Sequence, residues 1–207
     1  MSEQAIKKIL ITGANGFIGG SLMRYYQNQG QAVVGVDLVG NGDDIVEGDI
    51  SQPDSISQLL TESDVIIHTA ALVSNAMQDS DMWRVNVLAT RNLIQAAKEH
   101  KVRRFVQISS IVAYGNTAEG ELNETHPVHA DGGSYVLTKL ASEHVVLSEQ
   151  ANDDIEVVII RPGDAYGPGS RPWIIAPLEA IAKNQFMLPE KGEGFFRPIY
   201  IDDLVRG

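Results

Sequence analysis

Short apolar runs recur along the chain and alternate with longer segments of helical periodicity. The runs are rich in valine and isoleucine and do not alternate with polar residues. They cover residues 8–11, 32–36, 65–67, 105–108 and 157–160. Such runs are typical of strands buried on both faces of a sheet, whereas the segment 82–96 carries apolar residues at helical spacing. The pattern predicts an α/β fold, a doubly wound parallel sheet with helices on both faces.

The alternation of strands and helices continues to Tyr166 and is lost after it. The segment Gly-Pro-Gly-Ser-Arg-Pro at 167–172 breaks the pattern. We therefore predict one domain over residues 1–170 and the start of a smaller one over residues 171–207. An antiparallel α+β fold is the alternative, and it is disfavoured because hairpin turn signals are missing where strands would need them.

The composition excludes several classes of protein. Of 207 residues, 43% are hydrophobic and 21% charged, as in ordinary globular proteins. The net charge of −11 repels phosphate backbones, so we expect no nucleic-acid partner. No apolar run approaches the roughly 20 residues that cross a bilayer, and the first residues lack a secretory pattern, so we expect no membrane partner and a cytoplasmic location. The lack of cysteine excludes a disulfide framework and a thiolate metal site.

A glycine-rich loop follows the first predicted strand. The sequence TGANGFIG at 12–19 has GxxGxxG spacing and opens a predicted helix that runs to about Gly30. Glycines permit a tight turn and close approach of a ligand to the backbone, and a helix N-terminus presents free N–H groups to a diphosphate. The loop therefore predicts a dinucleotide site. Its candidate residues are Gly13, Asn15, Gly16, Phe17, Ile18 and Gly19.

The second predicted strand ends at Asp37. A carboxylate there would accept hydrogen bonds from the adenosine ribose hydroxyls and would repel a 2′-phosphate. No arginine or lysine stands in the glycine loop or directly after Asp37. We therefore predict NAD as the cofactor and regard NADP as the less favoured alternative. The alternative interpretation of the glycine loop and Asp37 is a simple turn beside a solvated aspartate, without a cofactor.

Tyr135 and Lys139 are candidates for proton transfer. They lie four residues apart near the start of a predicted helix and so share one helix face. The ordinary pKa of tyrosine, near 10, is too high for a base at neutral pH, and a cation about 4 Å away would lower it by about one to three units. Tyr135 would then accept a proton from a secondary alcohol. Ser110 ends the predicted strand that begins at Phe105, where its hydroxyl can orient the substrate oxygen.

Taken in order, these motifs resemble those of the extended short-chain dehydrogenases/reductases, also called the NAD-dependent epimerase/dehydratase family. The resemblance covers the whole chain. The matching segments are TGANGFIGG at 12–20, Asp37, GDI at 48–50, HTAA at 68–71, VNVLATRNLIQAA at 85–97, SSIVAYG at 109–115, YVLTK at 135–139, RPGDAYGPG at 161–169 and YIDDLVRG at 200–207. The family fold is of the Rossmann type, so residues 1–170 would bind NAD and residues 171–207 would begin the substrate domain.

The resemblance also implies roles for individual residues. Ser110, Tyr135 and Lys139 would be catalytic. Tyr135 and Lys139 would also bind the cofactor, and Lys139 would hold the nicotinamide ribose. Further cofactor contacts would come from Asp49 and Ile50 beside the adenine, from Ala70, Ala71 and Asn86 along the cofactor, and from Pro162 and Gly163 beside the nicotinamide amide. Family members commonly form homodimers through the helices that here would span about 80–99 and 135–150.

Two features depart from the family pattern. Family members are usually much longer than 207 residues, so we expect this chain to be part of a longer protein whose substrate domain is truncated here. Sugar-nucleotide members often carry an asparagine at the position of Asp164, and a carboxylate beside a substrate diphosphate would be repulsive. The segment RPGDAYGPGSRPW is more similar to the hydroxysteroid dehydrogenase branch, which favours an uncharged alcohol or ketone.

These features together predict an NAD-dependent oxidoreductase that transfers hydride between NAD and the secondary alcohol or ketone of a small molecule. A nucleotide-sugar epimerase or dehydratase that oxidises its substrate transiently is the first alternative. A cofactor-binding sensor without catalysis is the second. We predict no metal site, because His126, His129 and Asp131 are better interpreted as a loop beside the substrate. His68 is interpreted as a packed or cofactor-adjacent residue.

Overall fold

The computed structural model describes residues 6–42, 44–73, 78–115, 120–152, 154–194 and 196–207. The chain divides into two compact units, Met1–Arg161 and Pro162–Gly207. The division falls earlier than the predicted boundary at residue 170. The reason is that a short strand at Asp164–Tyr166 pairs with a strand near the C-terminal end of the chain and so belongs to the second unit.

The first unit contains a six-stranded sheet in which every paired strand is parallel. The strands are β1 (Ile9–Thr12), β2 (Val33–Asp37), β3 (Ile45–Glu47), β4 (Val65–His68), β5 (Arg104–Ile108) and β6 (Glu156–Ile160). Their spatial order is β3-β2-β1-β4-β5-β6. This arrangement confirms the predicted α/β fold. β3 is not among the predicted strands, because its three residues are too few to show a strand pattern.

Helices connect the strands of this sheet. They are α1 (Phe17–Asn28), α2 (Ser57–Glu62), α3 (Asp79–Trp83), α4 (Thr90–Glu99) and α5 (Ser134–Glu149), and a π-helical segment, Arg84–Ala89, joins α3 to α4. The strand order grows outward from β1 in two opposite directions, so right-handed crossovers place helices on opposite faces. Among the residues that the structure describes, no helix combines the length and the apolar character that a membrane span requires.

The core of the first unit forms where the helices pack on the sheet. Leu10 of β1, Ile66 of β4 and Phe105 of β5 are completely buried. Leu93 and Ile94 of α4 are buried as well, as the helical spacing of apolar residues in this segment predicts. Each such side chain contributes about 1.5–3 kcal/mol to folding. The strand ends that carry the polar residues are therefore fixed on a rigid support.

The second unit is a small α/β element. Its strands β7 (Asp164–Tyr166) and β8 (Pro198–Tyr200) form a parallel pair, and α6 (Ala176–Ala182) and α7 (Ile201–Arg206) accompany them. Asp164 makes two hydrogen bonds with the backbone of Arg197. Its N–H donates to Arg197 O at 2.7 Å, and its Oδ2 accepts from Arg197 N at 3.1 Å. The Asp164 carboxylate therefore holds the start of β8 in place.

Candidate active site

The strand order reverses between β1 and β4, which are neighbours in the sheet although other strands separate them in sequence. Thr12 at the end of β1 lies opposite His68 at the end of β4. In open parallel sheets, ligands bind in the crevice beyond the carboxyl ends of the strands at such a reversal. The loops that follow β1, β2, β4 and β5 carry most of the predicted site residues, so the fold brings them to one edge.

The glycine loop lies directly against the segment that follows β4. Gly13 has a φ of +69°, and a Cβ on it would lie 2.8 Å from the Cα of Ala70. A Cβ on Gly19 would collide with the carbonyl oxygen of Gly13. The hydroxyl of Thr69 donates to Thr12 O at 2.6 Å and ties the two segments together. Gly13 and Gly19 are therefore required for this close approach, and Gly13 and Ala70 are brought into contact.

The N-terminus of α1 fits a diphosphate group. Gly16 is the N-cap and has no side chain to occupy the first N–H groups, and the first turn, which begins with Phe17 and Ile18, contains no acidic residue. The free N–H groups and the positive end of the helix dipole therefore remain available to an anion. This is the geometry that the glycine spacing predicts.

Asp37 connects the end of β2 to the glycine loop. Its Oδ2 accepts a hydrogen bond from Asn15 N at 2.9 Å, and its Oδ1 accepts one from Leu38 N at 2.8 Å. A carboxylate has about four acceptor positions, so both oxygens can also accept bonds from ribose hydroxyls. A cleft of about 290 Å³ lies beside the loop, and its lining includes Asn15, Gly16 and Arg24. Arg24 was missed by the sequence analysis, because it lies two turns into α1 and outside the glycine motif.

Asp49 and Ile50, the two residues predicted to lie beside the adenine, are in different environments. Asp49 is partly exposed, and its Oδ1 accepts a hydrogen bond from Ser51 N at 2.8 Å. The side chain of Ile50 is only 8% exposed and packs into the hydrophobic core. Gly48 N donates to Asp37 O at 2.8 Å, so this segment lies beside the end of β2. A contact between the pair and adenine stays a prediction.

Asn86 fixes the segment that contains Ala70 and Ala71. It lies in the π-helical segment between α3 and α4 and is 2% exposed. Its Oδ1 accepts from Leu72 N at 2.7 Å, and its Nδ2 donates to Leu72 O at 3.0 Å. The same Nδ2 donates to the hydroxyl of Thr138 on α5 at 3.1 Å. Asn86 therefore links the loop after β4 to the helix that carries Tyr135 and Lys139.

His68 extends this network, a role that the sequence analysis missed because the ring belongs to an otherwise apolar strand. It is 1% exposed, with Nδ1 2.7 Å from the Thr12 hydroxyl and Nε2 2.9 Å from the Thr90 hydroxyl. The Thr90 hydroxyl donates onward to Asn86 O at 2.9 Å, so its oxygen accepts a hydrogen bond from the Nε2–H group of His68. Burial, helped by the charge of Lys139, lowers the pKa of His68 to about 3. The ring is therefore neutral near pH 7 and serves as a connector.

Ser110 and Tyr135 are brought together. Ser110 follows β5, and its Oγ accepts a hydrogen bond from Val112 N at 3.3 Å at the start of the 3₁₀ turn Ile111–Tyr114. Tyr135 lies in the first turn of α5. A hydrogen bond from Ser110 lowers the pKa of Tyr135, but burial has the larger effect and raises it above its ordinary value.

This direction corrects the expectation that Lys139 lowers the pKa of Tyr135. The Nζ of Lys139 donates to Ile108 O at 2.7 Å, at the end of β5. The ammonium group is therefore directed to a backbone carbonyl of the sheet, and burial decides the direction of the Tyr135 pKa. Burial lowers the pKa of Lys139 itself to about 8, against the opposing effect of the Glu143 carboxylate.

The remaining predicted residues lie in the second unit or in the loop before α5. Pro162 is buried and Gly163 packs closely against Arg197 O within the second unit, so their contact with a nicotinamide stays a prediction. His129 N donates to Ala113 O at 3.0 Å, which holds the loop before α5 against the turn after Ser110. Within the described residues, no group of three carboxylate or histidine side chains is arranged to hold a metal ion.

The family of the chain follows from a comparison of its sequence with models of known protein families. The model of the NAD dependent epimerase/dehydratase family matches residues 9–207. The chain belongs to this family. The family predicted from the motifs is therefore confirmed, and Ser110, Tyr135 and Lys139 lie in the part that the family model covers.

Curated relatives within the family have different activities. The chain is 32% identical to a UDP-glucose 4-epimerase of Vibrio cholerae, over 86% of this chain and 58% of the relative. It is 30% identical to the sterol-4-alpha-carboxylate 3-dehydrogenase ERG26 of Candida albicans, over 88% of this chain and 57% of the relative. The chain therefore spans less than two thirds of the length of both relatives.

A solved structure with the same fold is that of MoeE5 in complex with UDP-glucose and NAD. It has a TM-score of 0.81 and 30% sequence identity, and the match covers 96% of this chain and 69% of MoeE5. The first unit therefore has the same Rossmann-type fold as MoeE5, a relative whose structure contains NAD.

The buried neutral His68 predicts a loss of stability in acid. Because its pKa is about 3 in the folded chain and near 6.5 when exposed, the unfolded chain binds more protons between these values. Stability is complete above pH 6.5 and falls as the pH drops toward 3, by at most about 1.4 kcal/mol per pH unit from this residue. Urea unfolding from pH 6.5 to 4.5 should show a shallower loss for His68→Gln than for the wild type.

His144 provides the matched control for His68→Gln, because it is also a histidine but is exposed on α5. His144→Gln should keep the wild-type dependence on pH. If His68→Gln also kept the wild-type slope, the assignment of a neutral, buried His68 would be wrong.

Proposed function

We propose that this protein binds NAD and uses it to exchange hydride with the secondary alcohol or ketone of a small molecule, with Tyr135, Lys139 and Ser110 as the catalytic residues. The observation that carries the proposal is the meeting of β5 and α5 at the carboxyl edge of the sheet. Ser110 follows β5, Tyr135 begins α5, and the buried Lys139, one helical turn further on, donates from Nζ to Ile108 O at 2.7 Å. Each of the three residues comes from an element that ends or begins at this edge.

The cofactor assignment rests on the fit of the residues to a dinucleotide. The tight approach at Gly13 and Gly19 and the free N-terminus of α1 suit the diphosphate, and Asp37 suits the adenosine ribose. When bound, NAD supplies the acceptor and donor of hydride. NADP is disfavoured because its 2′-phosphate would meet the Asp37 carboxylate.

Tyr135 moves the proton at the substrate oxygen. Its raised pKa keeps the phenol protonated at neutral pH, so its Oη donates a hydrogen bond to a ketone and its proton to the developing alkoxide. In the reverse direction Tyr135 accepts the proton of the alcohol, and the hydrogen bond from Ser110 favours the phenolate that this requires. Lys139 would hold the nicotinamide ribose.

A nucleotide-sugar epimerase or dehydratase is the second candidate function. It is favoured by the UDP-glucose 4-epimerase relative and by the UDP-glucose complex of MoeE5. The sterol dehydrogenase relative supports the first candidate instead. Asp164 stands where sugar-nucleotide members of the family often carry asparagine, and this departure also favours an uncharged substrate. A sensor without catalysis is disfavoured, because Ser110, Tyr135 and Lys139 are all present.

Cofactor binding can be tested by calorimetric titration with NAD and separately with NADP. We expect the wild type to bind NAD at micromolar strength and NADP at least about tenfold more weakly, a difference of about 1.4 kcal/mol. Asp37→Asn should weaken NAD binding and reduce this preference, because the amide neither repels phosphate nor accepts as strongly from the ribose. Asp54→Asn, an exposed aspartate on the same unit, removes one charge as a control. A folded sample that binds neither cofactor would refute the assignment.

Turnover distinguishes the two candidate functions. Secondary alcohols such as hydroxysteroids should produce free NADH, whereas UDP-glucose should be converted without accumulation of NADH if the chain is an epimerase. Tyr135→Phe should reduce either activity by at least about 10²-fold and leave NAD affinity nearly unchanged, because it removes only the proton donor. Tyr25→Phe on α1 is the control. Wild-type turnover by Tyr135→Phe would mean that Tyr135 does not transfer the proton.

We also propose that the protein forms a homodimer through α3, α4 and α5. These helices pack side by side. Trp83 of α3, Leu88 of the π-helical segment between α3 and α4, and Leu147 of α5 are 41%, 52% and 46% exposed. Leu88→Glu places a charge in this surface and should convert a dimer to a monomer in sedimentation velocity. Leu188→Glu, at a 61% exposed leucine of the second unit, should leave the dimer intact. A monomeric wild type would exclude this interface.

A further inference from the structure

A buried carboxylate extends the series of functional residues on α5. Tyr135, Lys139 and Glu143 follow one another at intervals of four residues and so share a helix face. The side chain of Glu143 is 2% exposed. A carboxylate is rarely buried to this extent unless it has a partner, and the partner shows what the residue holds together.

The partner of Glu143 is Arg161, the residue directly after β6. Arg161 Nε donates to Oε1 at 2.9 Å and Nη2 donates to Oε2 at 2.7 Å, so the ion pair is bidentate. The third nitrogen, Nη1, donates to the hydroxyl of Tyr114 at 2.9 Å. The guanidinium carbon also lies 4.8 Å from the centre of the Tyr114 ring. All three nitrogens of the guanidinium are therefore engaged.

These contacts connect the elements that carry the catalytic residues. Tyr114 is the last residue of the 3₁₀ turn, and Ser110 is the N-cap of that turn. The Oγ of Ser110 accepts a hydrogen bond from Val112 N at 3.3 Å. On the other side, Lys139 Nζ donates to Ile108 O at 2.7 Å, at the end of β5. The helix α5 is thus attached to β5 through Lys139 and to the end of β6 through Glu143, while Arg161 also holds the turn after Ser110.

We propose that Glu143 is a positioning residue for the catalytic pair, which together with Arg161 fixes α5 on the strand ends and keeps a negative charge one helical turn from the Lys139 ammonium. This inference rests on the proposed function, because it assumes that Tyr135 and Lys139 act as a pair. It assigns the Glu143–Arg161–Tyr114 cluster a role beyond packing.

The charges around Lys139 determine the sign of the expected effect. The titratable groups that interact with it are Glu143 from its own helix and His68 from β4. Arg161 and Tyr114, from the end of β6 and the 3₁₀ turn, lie on the far side of Glu143 as its ion-pair partner and that partner's hydrogen-bond acceptor. Burial lowers the pKa of Lys139 to about 8, and Glu143 acts in the opposite direction. Removal of the Glu143 charge should therefore release the Lys139 proton at a lower pH.

The direct test is a pH titration of the chain by NMR with ¹³Cε-labelled lysine, in which the Lys139 signal is the one missing from Lys139→Arg. Glu143→Gln should shift the Lys139 pKa downward by on the order of one unit. Glu156→Gln is a matched control, because Glu156 pairs with Arg104 at 2.8 Å across the start of the same two strands but is exposed. It should leave the Lys139 titration unchanged.

Turnover provides the second measurement. In Glu143→Gln, the loss of activity at alkaline pH should move to lower pH by the same amount as the Lys139 titration. Tyr114→Phe keeps the ring but removes the hydroxyl that Arg161 contacts, so it should reduce turnover by at least about threefold without moving the Lys139 pKa. A purely structural role would lower stability and leave both pH curves in place.

The outcomes separate this inference from the proposed function. If Glu143→Gln does not fold, the double variant Glu143→Gln/Arg161→Gln avoids the unpaired arginine. It should shift the Lys139 pKa in the same direction but by less, because it also removes the positive charge of Arg161. An unchanged Lys139 pKa in either folded variant overturns the positioning role, whatever the protein catalyses. If the wild type neither binds NAD nor turns over substrate, the proposed function fails, whereas the Lys139 titration still decides whether Glu143 acts on Lys139.

Discussion

The parallel order of the sheet is the constraint on which the site depends. Since all paired strands of the first unit run in one direction, every loop that follows a strand begins at the same edge. The reversal between β1 and β4 opens a crevice there, and the absence of a side chain at Gly13 lets the two loops touch. The same edge carries Asp37 after β2 and Ser110 after β5. The candidate site is thus a direct consequence of strand direction and of two tightly packed glycines.

Buried polar groups then fix the geometry that the sheet makes possible. Thr12, His68, Thr90 and Asn86 form a continuous hydrogen-bonded path from β1 to the π-helical segment, and Asn86 continues it to α5. Burial of such groups is costly unless each is satisfied, so a complete network specifies one arrangement. A π-helical turn at Asn86 is consistent with this role, because such irregular turns occur often at functional sites. Precision at this edge therefore comes from polar contacts, whereas the apolar core supplies most of the stability.

Much of this arrangement is predictable from the sequence, and the reasons for the misses are physical. Long apolar runs, glycine spacing and the interval between Tyr135 and Lys139 are local patterns, so they predict the strands, the dinucleotide loop and the shared helix face. Contacts between distant segments leave no such pattern. The pairing of β7 with β8 moves the unit boundary, the burial of His68 depends on Thr12 and Thr90, and Arg24 reaches the cleft from inside a helix. The direction of the Tyr135 pKa depends on where the Lys139 ammonium points, which spacing alone does not determine.

Burial acts on Tyr135 and Lys139, the proposed catalytic pair, in a way that bears on the direction of the proposed reaction. It raises the pKa of Tyr135 and lowers that of Lys139, so both side chains are moved toward their neutral forms. A phenol that retains its proton donates readily to a developing alkoxide, whereas acceptance of a proton from an alcohol first requires the phenolate. Ser110 lowers the cost of the phenolate and Glu143 favours a charged Lys139, and each opposes the effect of burial on one member of the pair. The balance between burial and these two neighbours would therefore set how easily the proposed reaction runs in the oxidative direction. It depends on Ser110 after β5 and on Glu143 of α5 as well as on the Tyr-Lys motif.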